Sequence, residues 1–378
     1  MRLEMRQDGR AWARAFRQQI FLLVAAALAV AAVASGAVPW RAIPRVEDGR
    51  LLATLAALVL SVEALRSSGA LDALVRRAIA RFAQARTLTL ALVVASGALS
   101  AVVTNDVALF VVVPFTVAAA RFSDFRVRNA VILEITAANV LGCMTPIGNP
   151  QNLFLFHRSG MSIPGFLGAM LPFGAVAAAL LGAAVLVLEP SRRITRVEAA
   201  TGRIEGFLAA WGAAGILLVL ASIAGVLPPW LPLAMTVPAL LLLARRGASA
   251  GSLAIVPLFF FVFIDMAAIG SLDFRRVFLS IPLPAGTRLY LAGLLFSQGI
   301  SNVPAAVLLA PLAEGRWRTL LYAVNAGGCG TLVASLANLL GWQIYLRERG
   351  PDPVYLPRFY AVSFAFLLVL GVAAFLLV

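Results

Sequence analysis

Apolar runs long enough to cross a lipid bilayer recur along this chain almost from end to end, and no soluble fold accommodates them. The clearest are Ile20 to Val38, Leu51 to Leu65, Phe166 to Leu188, Phe207 to Val226 and Phe359 to Val378. Each is set against a hydrocarbon layer of about 30 Å, which takes roughly 20 helical residues to span. With 61% of the 378 residues hydrophobic and 13% charged, no soluble domain of useful size is left over. The expected fold is an all-α polytopic membrane protein.

A formal charge of +14 would suggest nucleic acid as a partner in a soluble protein. Here every basic residue is an arginine, scattered over short segments between apolar runs, so we set nucleic acid aside. The arginines orient the chain instead. Nine crossings, two re-entrant hairpins and an internal N-terminus place Arg2 to Arg17, Arg66 to Arg86, Arg121 to Arg128, Arg192 to Arg203, Arg245 to Arg246 and Arg347 to Arg358 in the cytoplasm. That is 22 of 31, as the positive-inside rule requires. The first apolar run follows five arginines, as a signal peptide would, but its 19 residues exceed a typical signal core and it is kept as a helix. Leu71 to Gln84 mixes apolar and Arg positions and suits a helix lying flat on the headgroups. Trp40, Trp230, Trp317 and Trp342 fall near expected span ends and read as interfacial anchors.

The two halves of the chain resemble each other in three blocks. LSVEALRSSGALDAL aligns with VFIDMAAIGSLDFRR, setting Glu63 opposite Asp265 and Asp72 opposite Asp273 with a one-residue slip. LSAVVTNDVALFVVVPF aligns with FSQGISNVPAAVLLAPL, pairing Ser100 with Ser297, Thr104 with Ser301, Asn105 with Asn302 and Pro114 with Pro311. ANVLGCMTPIGNPQN aligns with VNAGGCGTLVASLAN, pairing Asn139 with Asn325, Gly142 with Gly328, Cys143 with Cys329, Thr145 with Thr331 and Asn152 with Asn338. Five crossings separate the repeats, so the second enters the membrane upside down, and inverted repeats place a site near the bilayer midplane. The expected division is 1–188 for the first repeat, 189–205 for a cytoplasmic loop, and 206–378 for an extra crossing helix followed by the inverted second repeat.

Each repeat carries two interruptions. In TPIGNPQN (145–152), Pro146 and Pro150 remove donors and Gly148 loosens the turn, so the helix breaks; GGCGTLVASLAN (327–338) does the same with glycines. TND (104–106) and SNV (301–303) are polar tips between short apolar arms and read as re-entrant hairpins that bring Asn105 and Asn302 beside the breaks. Polar residues of this kind also merely glue helices together, but clustered at membrane depth they mark function. The candidate substrate-binding set is therefore Asn105, Asp106, Asn149, Asn152, Asn302, Thr331, Ser335 and Asn338. Asp106 is the sharpest: a carboxylate at that depth costs about 2.5 to 3.5 kcal/mol, so it is cation-paired or protonated. Glu63 and Asp265 read as capping groups or as partners of Arg66 and Arg275, and Glu134 as a charge near its helix start that suits the dipole. His157 reads as an interfacial polar residue, and the two cysteines, Cys143 and Cys329, as small packing residues rather than a disulfide or metal ligands.

At these motifs the chain resembles the ion transporter superfamily, which includes arsenite pumps, sodium/proton antiporters, citrate transporters and divalent anion/sodium symporters. TNDVALF, TPIGNPQN and SNVP are closest to those of small bacterial anion permeases, and the likeness runs from about Arg17 to the end. It implies two cation sites, Ser100, Thr104, Asn105 and the Gly148 region on one side and Ser297, Ser301, Asn302 and the Ala334 region on the other, with sodium as the candidate ion. It also implies a homodimer working by an elevator mechanism in a bacterial inner membrane. Asp106 and Val303 stand where dicarboxylate symporters carry Thr, and an ionised Asp106 would repel a carboxylate; the Asn-Asp pair is similar to that of arsenite pumps. The leading expectation is a secondary transporter of a small anion or oxyanion, coupled to sodium or protons. A sodium/proton antiporter exchanging at Asp106 is the alternative. An intramembrane enzyme is disfavoured by a single His and no HExxH motif, and a purely structural membrane protein would not need two related helix breaks.

Overall fold

A computed structural model describes every residue except 1–21, 44–48, 196–202, 224–225, 229, 246–254, 271–277, 279, 281 and 314. Arg2 to Arg17, Asp273 and Arg275, invoked above for orientation, for the repeat and as a partner of Asp265, lie outside the described residues. Among those described, the regular structure is helical, apart from one isolated bridge between Gln84 and Arg193.

The first half opens with α1 (Leu22–Ala34) and α2 (Gly49–Ser67). At Gly69, held in the left-handed region at φ 77°, the chain turns by 73° into α3 (Ala70–Arg81), a conformation that costs glycine nothing. A hairpin of α4 (Ala85–Val102) and α5 (Asn105–Ala119) follows, then α6 (Val127–Val140), an interruption, α7 (Pro150–Ser159) and α8 (Ile163–Leu188). The second half begins with α9 (Gly206–Ile223), α10 (Trp230–Arg245) and α11 (Ile255–Gly270). It continues with the hairpin α12 (Ala285–Ile300) and α13 (Asn302–Leu309), then α14 (Trp317–Gly327), a second interruption, α15 (Leu336–Arg349) and α16 (Tyr355–Leu376).

Among the described residues, α4, Val127–Met144, α8 and α16 are each long and apolar enough to cross a membrane, and the bent pair α2 and α3 would add a fifth if it is one span. The remaining expected crossings are shorter apolar helices or, as in α14 and α15, are cut by a break. Arm α4, at 18 residues, is longer than a hairpin arm needs to be. What makes it an arm is that its end meets the middle of the broken helix α6–α7.

The helices sort into two packed groups. In one, α2 lies against α9, α10 and α11. The larger group contains both hairpins and both broken helices around a core that includes Ile132, Leu133, Ile135, Phe166 and Tyr322. Contacts inside it recur in pairs: α5 packs on α15 as α13 packs on α7, and α2 touches α5 as α11 touches α13. Among the described residues, arginine-carboxylate pairs join the groups, Glu63 to Arg347 at 2.8 Å and Arg66 to Glu348 at 2.6 Å. Glu63 is thus partnered from α15 and not by Arg66, its neighbour in sequence. Of the expected anchors, Trp40 and Trp230 are exposed, but Trp342 is buried at 7% in the core between α15 and its neighbours. A tryptophan at a helix end anchors to headgroups only when no other helix covers it.

Candidate site between the hairpins and the broken helices

Each hairpin tip is bonded to the opposing break by the same backbone bond. Asn105 N–H donates to the Gly148 carbonyl at 2.9 Å, and Asn302 N–H to the Ala334 carbonyl at 2.9 Å. A threonine staples each break to its hairpin: Thr145 Oγ1 donates to the Ala101 carbonyl at 2.5 Å and accepts from Gly148 N–H at 3.1 Å, while Thr331 Oγ1 donates to the Gln298 carbonyl at 2.8 Å and accepts from Ala334 N–H at 3.1 Å. Asn152 Nδ2 donates to the Cys143 carbonyl at 2.9 Å, and Asn338 Nδ2 to the Gly328 carbonyl at 2.9 Å. Breaks buried in protein are tolerated because their freed backbone groups find such partners.

The halves also bond to each other, reciprocally. Asn139 Nδ2 donates to Asn338 Oδ1 at 2.7 Å, and Asn325 Nδ2 to Asn152 Oδ1 at 2.7 Å. Asn139 Oδ1 accepts from Asn105 Nδ2 at 3.1 Å and from Ser335 Oγ at 3.0 Å. Asn325 Oδ1 accepts from Gln151 Nε2 at 3.0 Å and Asn149 Nδ2 at 3.4 Å. These two asparagines tie the first hairpin to the second break and the second broken helix to the first break. Sequence reasoning noticed Asn139 and Asn325 as matched repeat positions but did not place them, or Gln151 and Gln298, in the site.

Four helices, α5, α7, α13 and α15, start at these tips and breaks. Thr104 caps α5, its hydroxyl accepting from Val107 N–H, and Ser335 caps α15, accepting from Ala337 N–H. Asn149 stands at the N-cap of α7, and its Oδ1 has no partner although buried. The Oδ1 of Asp106, a residue only 6% exposed, and the Oγ of Ser301 are likewise buried and unpartnered. Ser100 Oγ donates to the Ala138 carbonyl at 2.7 Å, and Ser297 Oγ to the Gly293 carbonyl at 2.6 Å.

The proposed cation ligands therefore sit together in two clusters, Ser100, Thr104, Asn105 and Gly148 in one, Ser297, Ser301, Asn302 and Ala334 in the other. Their oxygens are neutral and hard, a set that suits an alkali ion better than a transition metal, and the unpartnered Asn149 and Ser301 oxygens supply uncommitted lone pairs. Among the described residues no group of three His, Cys, Asp or Glu side chains gathers as a metal site. The clusters are unequal: a Cβ on Gly148 would collide with the Gly142 carbonyl, whereas the matching position already holds Ala334. Ser301 takes φ 73°, ψ 152°, while Thr104 is extended at φ −153°.

Other expected residues fall elsewhere. His157 is exposed, its Nδ1 2.8 Å from the Leu153 carbonyl. Cys143 and Cys329 are buried free thiols. Glu134 does not lie near its helix start: α6 begins at Val127, so Glu134 is two turns in, fully buried and beyond the reach of the terminal dipole.

The family model described as a citrate transporter matches residues 15–316. The chain is 33% identical over 299 residues to inner membrane protein YbiR of Escherichia coli, covering 79% of this chain and 80% of that protein. It is 31% identical over 262 residues to the uncharacterized transporter MJ0456 of Methanocaldococcus jannaschii, covering 68% and 70% of the two chains. With its apolar helices and interrupted spans, the chain is a multi-pass membrane transporter and belongs to the citrate transporter family.

Proposed function

We propose that this transporter is a secondary active carrier of a small anion or oxyanion, coupled to sodium or proton flow, in a bacterial inner membrane with the N-terminus cytoplasmic. The observation that carries the anionic substrate is the meeting of four helix N-termini, those of α5, α7, α13 and α15, at the two tips and two breaks. Each contributes a partial positive charge of about 0.5, which favours an anion in a space shared between them. Asn105, Asn149, Asn302 and Ser335 are the side chains best placed to hydrogen-bond it, with Thr331, Asn152 and Asn338 holding the breaks in shape. Citrate, from the family's description, is the first anion to try, followed by smaller oxyanions.

Sodium would be held by Ser100, Thr104, Asn105 and the Gly148 carbonyl, and by Ser297, Ser301, Asn302 and the Ala334 carbonyl. Its role is to bring positive charge beside the substrate, and Asp106 adds negative charge to the first cluster only. The second reading, a sodium/proton antiporter, is favoured by the unpartnered Asp106 Oδ1, which as a lone carboxylate could alternate between a proton and a sodium ion. In both readings the group of hairpins and broken helices moves as a body against α2 and α9–α11, which in a homodimer would form the fixed scaffold; pseudo-twofold contacts favour repeats of inverted orientation.

The deciding experiment is uptake into proteoliposomes of a panel of labelled anions under imposed sodium or pH gradients. Sodium-driven anion uptake, with a sodium-specific rise in melting temperature that Asp106→Asn weakens, is the expected result. Sodium efflux exchanged for protons, with no anion moved, would replace this reading by the antiporter.

A further inference from the structure

Away from the tips, Glu134 is a buried acid with no assigned task. Glu134 is wholly inaccessible, sits in the middle of α6, and accepts one hydrogen bond, from Thr116 Oγ1 to Oε1 at 2.5 Å. Its Oε2 has no partner, and no arginine pairs with it among the described residues. A carboxylate with a single hydroxyl donor and no cation is costly to keep charged in such surroundings. A proton on Oε2 removes that cost, and a group that gains a proton in one conformation and can lose it in another is what coupling needs.

Among the described residues, the elements packed on α6 bring no charged partner to the acid. Ser96 of α4 bonds only the Glu134 backbone carbonyl, at 2.9 Å, and α5 presents Thr116. From α16 comes Tyr355, also buried, with an unpartnered hydroxyl. The Tyr355 ring stacks on Tyr345 of α15 at 4.3 Å, and the Tyr345 hydroxyl donates to Asp352 Oδ2 at 2.7 Å. Asp352 is gripped by Arg128, at the start of α6, at 2.7 and 3.0 Å. Tyr345, Arg128 and Asp352 line an open cavity of about 630 Å³, together with Arg126, Arg349 and Asp124. The other ionisable groups on packed elements are engaged or remote: Arg347 and Glu348 of α15 face α2, Glu189 closes α8, and Asp106 lies at the far end of α5.

We propose that Glu134 is a second proton-binding site of the transporter, separate from Asp106, the proton sitting on Oε2 while Oε1 accepts from Thr116. Loading moves one proton from water to Oε2, so the acid ends neutral. The proposal rests on the proton-coupled form of the carrier reading above, and its test does not need the substrate.

Infrared difference spectra of the purified protein in nanodiscs, recorded as pH is stepped, report the C=O stretch of a protonated carboxylic acid. The expected result, in an Asp106→Asn background, is a buried-acid band component that Glu134→Gln removes. A spectrum that Glu134→Gln leaves unchanged in that background overturns the proposal, and so does the absence of a buried-acid band there. Should Glu134→Gln fail to fold, Thr116→Val, which removes the donor to Oε1 and leaves the acid, serves instead: a band at unchanged frequency there means that Glu134 is not its source and overturns the proposal. Failure of anion uptake in proteoliposomes, by contrast, leaves these spectra unaffected and counts against the carrier reading alone.

Discussion

Replacing Gly148 by alanine should close the first cluster while the equivalent exchange in the second half is tolerated. An alanine Cβ at 148 would collide with the Gly142 carbonyl oxygen and lie 2.9 Å from the Ser100 carbonyl oxygen. Both are backbone atoms, so neither can swing aside as a side chain would. Overpacking of this sort costs about 1 to 3 kcal/mol. The displacement also acts on the carbonyl that accepts the Asn105 N–H at 2.9 Å, and weakening that bond adds roughly 0.5 to 1.5 kcal/mol. Gly148→Ala is thus expected to lose about 1.5 to 4.5 kcal/mol in total and to displace the Gly148 carbonyl and the Ser100 backbone on which the first cluster depends. Ala334 already carries the methyl, so Ala334→Gly only removes a buried methyl group and should cost about 1 kcal/mol. The assay is melting temperature in detergent alongside initial uptake rate in proteoliposomes at matched protein density. A Gly148→Ala protein that melts and transports like wild type would show that the tip and the break are not held as described.

The arginine-carboxylate pairs between the two helix groups should behave as a latch. Glu63→Arg and Arg347→Glu should each speed or slow transport, and the double exchange should recover most of the wild-type rate, with a coupling energy of about 1 kcal/mol in a double-mutant cycle. Asn139→Ala and Asn325→Ala should each lower the melting temperature, through the loss of an amide bond that leaves Asn338 or Asn152 short of a donor, roughly 1 to 3 kcal/mol; a cycle between Asn139→Ala and Asn338→Ala should be strongly non-additive. At Asp352, burial disfavours the charge, but the hydrogen bonds from Arg128, Tyr345 and the Val354 backbone prevail and hold its carboxyl below the usual carboxylate range. A depressed folded-state pKa gives stability that is complete above the unfolded value of about 3.9 and is lost as pH falls through the folded value. Asp352→Asn should therefore melt lower than wild type near neutral pH and converge on it in acid, as measured by melting temperature against pH.

The interruptions were legible because local chemistry forces them. Pro146 and Pro150 cannot donate, and a polar TND or SNV between apolar arms has nowhere to go in lipid except against another part of the protein. The repeat alignment likewise identified Asn139 with Asn325 and Asn152 with Asn338. What it did not reveal is that equivalent residues do not touch: Asn139 reaches Asn338 and Asn325 reaches Asn152, an exchange set by how the halves dock. Glu63 finds Arg347 across 284 positions, beyond any local reading, whereas Arg66, three residues away, was the only partner in view. Glu134 was misjudged because the helix start was placed too close to it, and Trp342 because its distance from a span end says nothing about which helix covers it.

The same backbone bonds in both halves hold side chains of unequal character, and that inequality limits how the two clusters can work. The first has Asp106 after its asparagine, a break stiffened by two prolines and a Gly148 that admits no side chain; the second has Val303, a break of glycines and a methyl at Ala334. Ser301 adds strain of about 1 to 3 kcal/mol, since its φ 73°, ψ 152° belongs to a region that only glycine visits freely. It is held there by the bonds of Ser301 N–H to Ser297 and of Asn302 N–H to Ala334, at 3.1 and 2.9 Å. A ligand that drew on the Ser301 hydroxyl could offset part of that strain, so occupancy of the second cluster is coupled to the shape of its hairpin more tightly than occupancy of the first. If both clusters take a cation, the first, with a carboxylate beside it and a preformed backbone, should fill at the lower concentration, and the second should fill only as its tip settles, which makes it the step that reports on loading.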